Sequence, residues 1–452
     1  MAELEEGYDA NGLPVRKPLL EDELEEQVET IVAQNGTPLT AFFTIVNGLV
    51  GGGLLALPAG FKYAGISAAT ISMIIIGAAS TYTLIGLVKV KNMFPKGSVM
   101  RYEEAGRKLF GERGRSFTSC TIIASQMGFA SAYIVFITDN FFKLLTGDTK
   151  PPHGYAIPYP VGIMLVWAVA SILGWIRDMS VRGLLSGAAV VILAFSMIML
   201  FYCGFRDGEP LHSPFDPIYG PQLNLSTYPS FFGIAAFAFC CHGIVFAVEE
   251  SIADPPNVHG DALKAARLTR WSWSVTAAVV TSGSIYIVVG ALGFMFFPTT
   301  VSPAITNDLK SDWAGLSVTV GLSLMCLTCA PLQLVPVIVA AEDALHSRGM
   351  LMDDKGLGYW QRNGVRAAVT AVPSLIALGL PCFGQVTALV GGLFTSTMGF
   401  ILPPVFYMKA TRESLTTKDK VICYSVISIG VVGMIAVVTL TIIQFAKGEC
   451  SN

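Results

Sequence analysis

The sequence predicts an all-α, multi-pass membrane protein with 11 transmembrane helices. Two features of composition predict this class: 53% of the 452 residues are apolar, and only 13% are charged, against about 25% in soluble domains. The third is a series of charge-free stretches long enough to cross a bilayer. The net charge of −3 also excludes a nucleic-acid-binding protein that relies on a basic surface, so we expect no nucleic-acid partner.

Ten stretches without Asp, Glu, Lys or Arg each exceed the roughly 20 residues that one helical crossing needs. They are 30–61, 63–88, 116–138, 151–176, 183–205, 217–248, 271–307, 313–341, 367–408 and 421–446. The stretch 367–408 has 42 residues, about twice what one crossing needs. The turn-forming sequence Pro381-Cys382-Phe383-Gly384 divides it, which gives the eleventh helix.

The loops indicate the orientation of these helices. With the N terminus in the cytoplasm, 23 of the 29 Lys and Arg residues fall on the cytoplasmic side. We therefore predict an acidic, disordered cytoplasmic tail over residues 1–36 and a membrane domain over 37–446. A short outer or lumenal tail follows over 447–452. No cleavable signal peptide is expected, and the membrane is predicted to be that of a vacuole or lysosome, or the plasma membrane.

Catalytic and metal-binding patterns are not found in the sequence. The nine cysteines lie mostly within predicted helices, Cys326 and Cys329 among them, and neither a CxxC nor an HExxH pattern supports a metal site. We therefore expect no metal, no cofactor and no disulfide framework. The predicted helices also contain no paired carboxylates and no Ser–His–Asp set, so the sequence does not predict an enzyme.

Span one contains three consecutive glycines near its middle. Gly51, Gly52 and Gly53 are followed by Pro58, and each glycine costs about 1 kcal/mol of helix stability relative to alanine. Proline removes a further backbone donor. Close helix packing also favours small residues, and it is the alternative interpretation. Because irregular backbone at membrane depth survives only where it lines an enclosed cavity, we predict a functional break here.

Span six has a second irregular stretch, 237–243, in which His242 lies near mid-membrane. An ionisable group at that depth is costly and indicates a functional site, with a neutral, hydrogen-bonded imidazole as the alternative.

The two irregular stretches occupy the same position in consecutive blocks of five helices. Since five is odd, the second block enters the membrane from the opposite side, which predicts an inverted repeat. Matching interruptions in two halves indicate the binding site of a secondary transporter.

Several motifs together resemble one family. Residues 47–58 follow the spacing NxxVGxGxLxLP, and Phe239-Cys240-Cys241-His242 resembles the family's sixth-helix motif. Supporting matches are Thr138-Asp139-Asn140, Pro331-Leu332-Gln333 with Pro336, and 399–404. Over residues 37–446 the chain resembles the amino acid/auxin permease family of the amino acid–polyamine–organocation superfamily. The resemblance implies a five-plus-five inverted repeat of LeuT-like fold, with helices 1 and 6 broken.

The resemblance also implies a site for an amino acid. Amide groups of Gly51, Gly52 and Gly53 would bind the substrate carboxylate, and carbonyls of Val50, Phe237, Ala238 and Phe239 would face its ammonium group. Cys240, Cys241, His242 and Gly243 would bound the side-chain pocket. Because no charged residue lies among these positions, neutral amino acids are expected.

Coupling to an ion gradient follows from the same resemblance. Asn47 and Val50 with Thr328 would approximate a sodium site, but Cys329 stands where sodium-coupled relatives offer a hydroxyl. Thiols are poor ligands for a hard cation. We therefore expect proton coupling, with His242 and Asp139 as candidate carriers. The alternatives are a sodium-coupled transporter and an amino-acid sensor with little flux. The expected partners are the amino acid, H⁺ or Na⁺ and the lipid bilayer, and the sequence does not indicate an oligomeric state.

Overall fold

The computed structural model describes residues 37–95, 98–99, 101–147, 157–176, 179–255, 258–351, 357–380 and 382–447. The predicted tail over 1–36 and nearly all of 447–452 lie outside these ranges. The regular elements of the described chain are helices. In chain order they are α1 (Pro38–Leu49), α2 (Gly53–Ala64), α3 (Ile66–Lys91), α4 (Tyr102–Thr146), α5 (Tyr159–Gly174), α6 (Met179–Asp207), α7 (Tyr228–Ala238), α8 (Val245–Glu250), α9 (Gly260–Phe296), α10 (Trp313–His346), α11 (Leu357–Gly379), α12 (Phe383–Val390), α13 (Leu402–Ala410) and α14 (Thr417–Ala446).

The helices define a multi-pass membrane protein. Within the described chain, eight helical segments are long and apolar enough to cross a bilayer, and α1 with α2 forms a ninth as one bent span. The helix α5 is apolar but has only 16 residues, and α11 has 23 residues with Arg362 and Arg366 near its start. The all-helical class is confirmed, while the number eleven stays a prediction.

Two boundaries in the second half of the chain show where local sequence signals succeed and fail. The division predicted in stretch 367–408 is present, since α11 ends at Gly379 and α12 begins at Phe383. The sequence did not predict that the span continues from α12 into α13 through two π-helical segments, Gly391–Thr395 and Thr397–Ile401. Such wide turns are frequent at functional sites.

One sequence expectation about cysteine is wrong. Cys382, at the N-terminal cap of α12, is disulfide-bonded. The sequence offered no spacing that would pair this residue. The predicted topology places Cys382 on the outer or lumenal side, where the redox environment permits a disulfide.

The helices pack in two groups. The first group, which we call the broken-span group, contains α1, α2, α3, α7, α8 and α9. The second, the companion group, contains α4, α5, α6, α10 and α11. The helix α12 packs against both α7 and α4 and so connects the groups. Close contact between α4 and α12 is possible because Gly128 has no side chain: a Cβ there would meet Val390.

A buried charge cluster joins helices of the broken-span group near the predicted cytoplasmic side. Lys91 Nζ at the end of α3 lies 2.6 Å from Glu249 Oε2 and also pairs with Glu250, both on α8. Arg267 on α9 lies near the same two carboxylates, at 3.9 Å and 3.7 Å. The Glu249 side chain is only 1% exposed, so the carboxylate depends on these partners for its charge to be tolerated.

A second buried charge cluster lies within the companion group. Glu342 on α10 accepts from Arg366 Nε at 2.7 Å and lies 3.6 Å from Arg362 Nη1, both on α11. Arg366 also donates to the Gly174 carbonyl at the end of α5. Each charge cluster therefore ties together helices of one group.

Candidate functional site

The break predicted in span one is present. The helix α1 ends at Leu49, α2 begins at Gly53, and their axes differ by 60°. At the start of α2, the amides of Leu54 and Leu55 bond to the Gly51 and Gly52 carbonyls at 3.0 and 3.2 Å. These bonds tighten the first turn of α2. The first four amide groups of a helix usually have no partner within the helix, and here the bonds leave fewer of them free to bind a ligand.

The glycines at this break allow an unusually close approach of span one to its neighbours. An ideal Cβ on Gly53 would lie 2.7 Å from the Ala238 Cα at the end of α7. A Cβ on Gly52 would overlap the ring of Tyr133 on α4. Both of the sequence interpretations therefore apply here: the stretch is broken, and it is also tightly packed.

Span six is interrupted at the predicted place in a different way. The helix α7 ends at Ala238, a 3₁₀ turn covers His242–Ile244, and α8 begins at Val245. Between them Phe239 and Cys241 leave helical geometry, with φ,ψ of −86°, 17° and −130°, 14°. Residues Tyr228–Glu250 still run as one span of 23 residues, without the sharp bend of span one.

Tyr286 on α9 joins the two interruptions, and sequence reasoning missed this residue. Its hydroxyl donates to the Leu49 carbonyl at 2.5 Å and to the Ala238 carbonyl at 2.9 Å. These carbonyls belong to the last residues of α1 and α7, which lack intrahelical partners. The Phe239 ring packs edge-on against the Tyr286 ring, with 5.3 Å between centroids.

Tyr133 on α4 is a second residue that the sequence did not single out. Its hydroxyl accepts a long bond from the Gly52 amide at 3.4 Å and also contacts the Gln333 side chain on α10. One turn earlier on α4, the Phe129 ring lies 4.5 Å from the ring of Phe237 on α7. The helix α4 therefore contacts residues at both interruptions.

The carbonyls assigned to the ammonium group are partly occupied. The Ala238 carbonyl accepts from Tyr286, as described, and the Phe237 carbonyl accepts from the Cys240 amide at 3.3 Å. A ligand ammonium group would compete with these bonds, or would bind the neighbouring carbonyls.

His242 is buried within the interruption of span six. It is 1% exposed, its Nε2 lies 2.9 Å from the Thr83 Oγ1 on α3, and its Nδ1 has no hydrogen-bond partner in the described part of the chain. The imidazole ring packs against Gly399, where a Cβ would lie 3.0 Å from the ring carbon Cε1. The glycine therefore makes room for the imidazole.

The other predicted pocket residues of span six face different neighbours. The Cys240 thiol lies against the Thr395 hydroxyl in the first π-helical segment. Cys241 lines a small apolar cavity together with Trp271. A Cβ on Gly243 would lie 3.4 Å from the Gln126 side-chain nitrogen on α4.

The predicted ion-coupling residues other than His242 are distributed among different helices. Asn47 is exposed in the last turn of α1. The Thr328 hydroxyl on α10 donates to the Met325 carbonyl at 2.8 Å, and Thr328 lines a small cavity with Leu173 on α5. Asp139 accepts from the Tyr159 hydroxyl at 2.7 Å, about two turns beyond Tyr133 on α4.

The fold places the chain among multi-pass membrane proteins of the LeuT type. The inward-facing conformation of Mhp1 superposes with a TM-score of 0.55 and 15% identity, covering 91% of both chains. A mutant manganese transporter of Eremococcus coleocola superposes with a TM-score of 0.54 and 11% identity, covering 92% of this chain and 88% of the other. These similarities concern the fold alone.

Residues 34–443 match the family described as "Transmembrane amino acid transporter protein", and the chain belongs to this family. "Amino acid transporter AVT1C" of Arabidopsis thaliana is 24% identical, over 90% of this chain and 70% of its own. "Amino acid transporter ANT1" of the same plant is 23% identical, over 89% and 92%. "Vacuolar amino acid transporter 3" of Schizosaccharomyces pombe is 23% identical, over 84% and 54%. The family and these relatives are transporters and not enzymes.

Proposed function

We propose that this protein is a secondary active transporter of neutral amino acids, driven by a proton gradient, which works by alternating access around the two interruptions. The observation that carries the proposal is the contact of these interruptions. Gly53 and Ala238 approach backbone to backbone, and Tyr286 bonds to the last residues of both α1 and α7. In this proposal the spans number eleven, and α1–α2 and α7–α8 begin two inverted five-helix repeats.

The helix ends at the interruptions supply the charge pattern for an α-amino acid. The helix α2 begins at Gly53, so its N-terminal partial positive charge suits a carboxylate. The helix α7 ends at Ala238, so its C-terminal partial negative charge suits an ammonium group. Residues 47–58 and 228–248 contain no Asp, Glu, Lys or Arg, which favours substrates with uncharged side chains.

Proton coupling is assigned to His242. The single hydroxyl proton of Thr83 donates to the Ser80 carbonyl at 3.0 Å. The Thr83 oxygen then accepts from His242 Nε2–H, which leaves Nδ1 unprotonated and, within the described chain, without a hydrogen-bond partner. A proton that binds at Nδ1 would place a positive charge next to the substrate site. Asp139 is the second candidate carrier.

Alternating access is supported by the arrangement of the buried charges. The Lys91–Glu249 pair lies within the broken-span group, and the Glu342–Arg366 pair lies within the companion group. Both pairs would therefore stay intact if the two groups move against each other, and breaking a buried pair would otherwise cost several kcal/mol.

The decisive experiment uses the purified protein in liposomes, with labelled amino acids and an imposed pH gradient. We expect accumulation of neutral amino acids that a protonophore abolishes and that replacement of sodium by choline leaves unchanged. Loss of uptake in choline would assign the coupling to sodium instead. Retained amino-acid binding without flux under any gradient would indicate a sensor.

The membrane and the orientation are part of the same proposal. One relative is named a vacuolar amino acid transporter, and we propose a vacuolar or lysosomal membrane, with residues 1–36 as a cytoplasmic tail and 447–452 on the lumenal side. Tagged protein co-localising with a vacuolar or lysosomal marker is the expected result. Protease digestion of an N-terminal tag in intact vesicles tests the orientation, and labelling at the cell surface would favour the plasma membrane.

A further inference from the structure

Three successive turns of α4 face the two interruptions. Tyr133 contacts Gly52 at the start of α2, Phe129 packs on Phe237, and Gln126 reaches Gly243. The spacing from 126 to 129 to 133 follows one face of a helix. Gln126 and Tyr133 are seven positions apart, which corresponds to about 10 Å along the helix axis. This distance matches an amino acid whose carboxylate lies near Tyr133 and whose side chain points toward Gln126.

Gln126 is an unusual residue for this face. It is 6% exposed, and its side-chain oxygen Oε1 is buried without a hydrogen-bond partner among the described residues. A buried acceptor without a donor is unfavourable, and most such groups in folded proteins are satisfied. If this residue served only to pack the helices together, Leu or Met would fill the same space as well as Gln126 does. An acceptor kept unsatisfied next to the interruption of span six indicates a ligand that supplies the donor.

A second acceptor lies on the adjoining residue of span six. His242 precedes Gly243, which lies against Gln126, and no described residue bonds to the His242 Nδ1. The Thr395 hydroxyl, facing Cys240, adds a further polar group from the opposite helix. Residues 240–243 are therefore surrounded by buried polar groups from α4, α3 and the π-helical segment, although no charged residue is among them.

We propose that Gln126 determines substrate specificity by accepting a hydrogen bond from the substrate's side chain, so that neutral amino acids with a hydroxyl or carboxamide group are preferred over apolar ones. This inference rests on the proposed function and adds the substrate class. An apolar side chain of the same shape leaves the Gln126 oxygen unpaired. Sites built to bond a substrate donor reject analogues that lack it far more strongly than apolar pockets separate methylene homologues.

The test compares near-isosteric substrates in the same liposomes. Threonine and valine differ by a hydroxyl against a methyl group, and asparagine and leucine by a carboxamide against an isopropyl group. For the unmodified protein we expect the initial uptake rate at low concentration to favour the polar member of each pair by tenfold or more. In Gln126→Leu we expect both ratios to fall to about one or below, with uptake of valine and leucine preserved or raised.

Two further variants separate specificity from folding. Ser125→Ala removes a neighbouring buried hydroxyl that likewise has no partner among the residues described, and it should leave both ratios unchanged. Gln126→Asn keeps the amide and should keep a preference for polar substrates even if Gln126→Leu is not recovered from the membrane.

The possible outcomes distinguish the two proposals. Accumulation of amino acids without preference in the unmodified protein, or an unchanged ratio in Gln126→Leu, would overturn the role of Gln126 while the transport function stands. The role is also wrong if Gln126→Asn loses the polar preference while its uptake stays intact. Absence of accumulation of every amino acid would overturn the proposed function itself.

Discussion

The hydroxyl oxygen of Tyr286 lies 2.5 Å from the carbonyl oxygen of Leu49, although the two residues are 237 positions apart in the chain. The same hydroxyl lies 2.9 Å from the Ala238 carbonyl. A hydroxyl has one proton to donate, so the two carbonyls share it. These carbonyls are the last ones of α1 and α7. A movement at one interruption therefore changes the hydrogen bond that Tyr286 donates at the other interruption.

We predict that Tyr286→Phe lowers amino-acid uptake at least tenfold while the protein still inserts and purifies as a single species. The phenyl ring keeps the packing on Phe239, but the two carbonyls lose their shared donor in a buried place. Uptake is measured in liposomes at matched protein content. Tyr424→Phe, on an exposed part of α14, is the control and should transport normally. Normal uptake by Tyr286→Phe would show that the shared bond is dispensable.

We predict that Gly53→Ala abolishes uptake. The added methyl group would lie 2.7 Å from the Ala238 Cα, which forces the two interruptions apart. The matched control is Gly86→Ala on α3, where a Cβ meets no atom of the described residues within 4 Å and helix propensity should rise. If both variants transport equally at the same expression level, the close approach of Gly53 and Ala238 has no role in transport.

We predict that Thr83→Val changes the pH dependence of uptake. The substitution keeps the shape of the side chain but removes the oxygen that accepts from His242 Nε2–H, so the ring loses its fixed tautomer. Initial rates are measured between pH 5 and 8 at constant proton gradient, together with those of His242→Gln. Thr81→Val on the same helix removes a hydroxyl that donates to the Gly77 carbonyl of its own helix, and it serves as the control. Identical profiles for all four proteins would assign His242 to packing.

Local signals in the sequence were sufficient to predict the interruptions. A run of three glycines and a histidine at mid-membrane are unfavourable in a continuous apolar helix, and both occur where the structure is irregular. Tyr286, Tyr133 and Gln126 could not be predicted in the same way. Tyrosine and glutamine inside a span have many possible partners, and only the tertiary packing brings them to residues 48 to 237 positions away.

The π-helical segments and the disulfide illustrate the same limit. Gly391 and Gly392 indicate close packing, but they do not distinguish a wide helical turn from a regular one. Cys382 is one of nine cysteines, and its pairing depends on where the chain returns in space. The family resemblance supplied the residues around both interruptions, because its motifs are local, and it supplied no partner on α4 or α9.

The loop between α9 and α10, on the predicted outer side, contains a carboxyl group whose pKa indicates how the loop responds to pH. Asp308 accepts from the Ser302 amide at 2.9 Å and from its hydroxyl at 2.7 Å. Lys143 on α4 donates to the Thr306 and Leu309 carbonyls and so fixes the same loop to the companion group.

Burial raises the pKa of Asp308 to about 6 from its usual 3.8. The carboxyl group faces Ser302, two lysines and the charged residues that line a cavity. Its Ser302 hydrogen bonds and the charges of Lys143 and Lys62 lower the pKa, but not enough to offset burial. Asp207 on α6, Glu209 and Lys310 line a cavity of about 200 Å³ beside it.

The raised pKa determines the sign of the pH effect. A carboxyl group with a raised pKa binds its proton more tightly in the closed loop than in the open one. The contribution of Asp308 to loop closure is therefore fully present below about pH 4 and is lost as the pH rises through about 6. An acidic lumen would keep the loop closed, and a neutral outer side would loosen it.

We predict that the loop opens more often at pH 7.5 than at pH 5, and that Asp308→Asn removes this difference. A cysteine introduced by Ala304→Cys reports opening, because this position is 2% exposed when the loop is closed. A cysteine introduced by Thr300→Cys, at an exposed position of the same loop, corrects for the intrinsic pH dependence of thiol reactivity. Maleimide labelling at the two positions is read by peptide mass spectrometry, and the ratio of the two rates should rise several-fold between pH 5 and 7.5. In the Asp308→Asn background the ratio should stay low at both pH values, since the asparagine amide is uncharged at any pH.

A ratio that does not change with pH in the unmodified background, or one that still rises in Asp308→Asn, would exclude Asp308 as the group that couples pH to the closure of this loop.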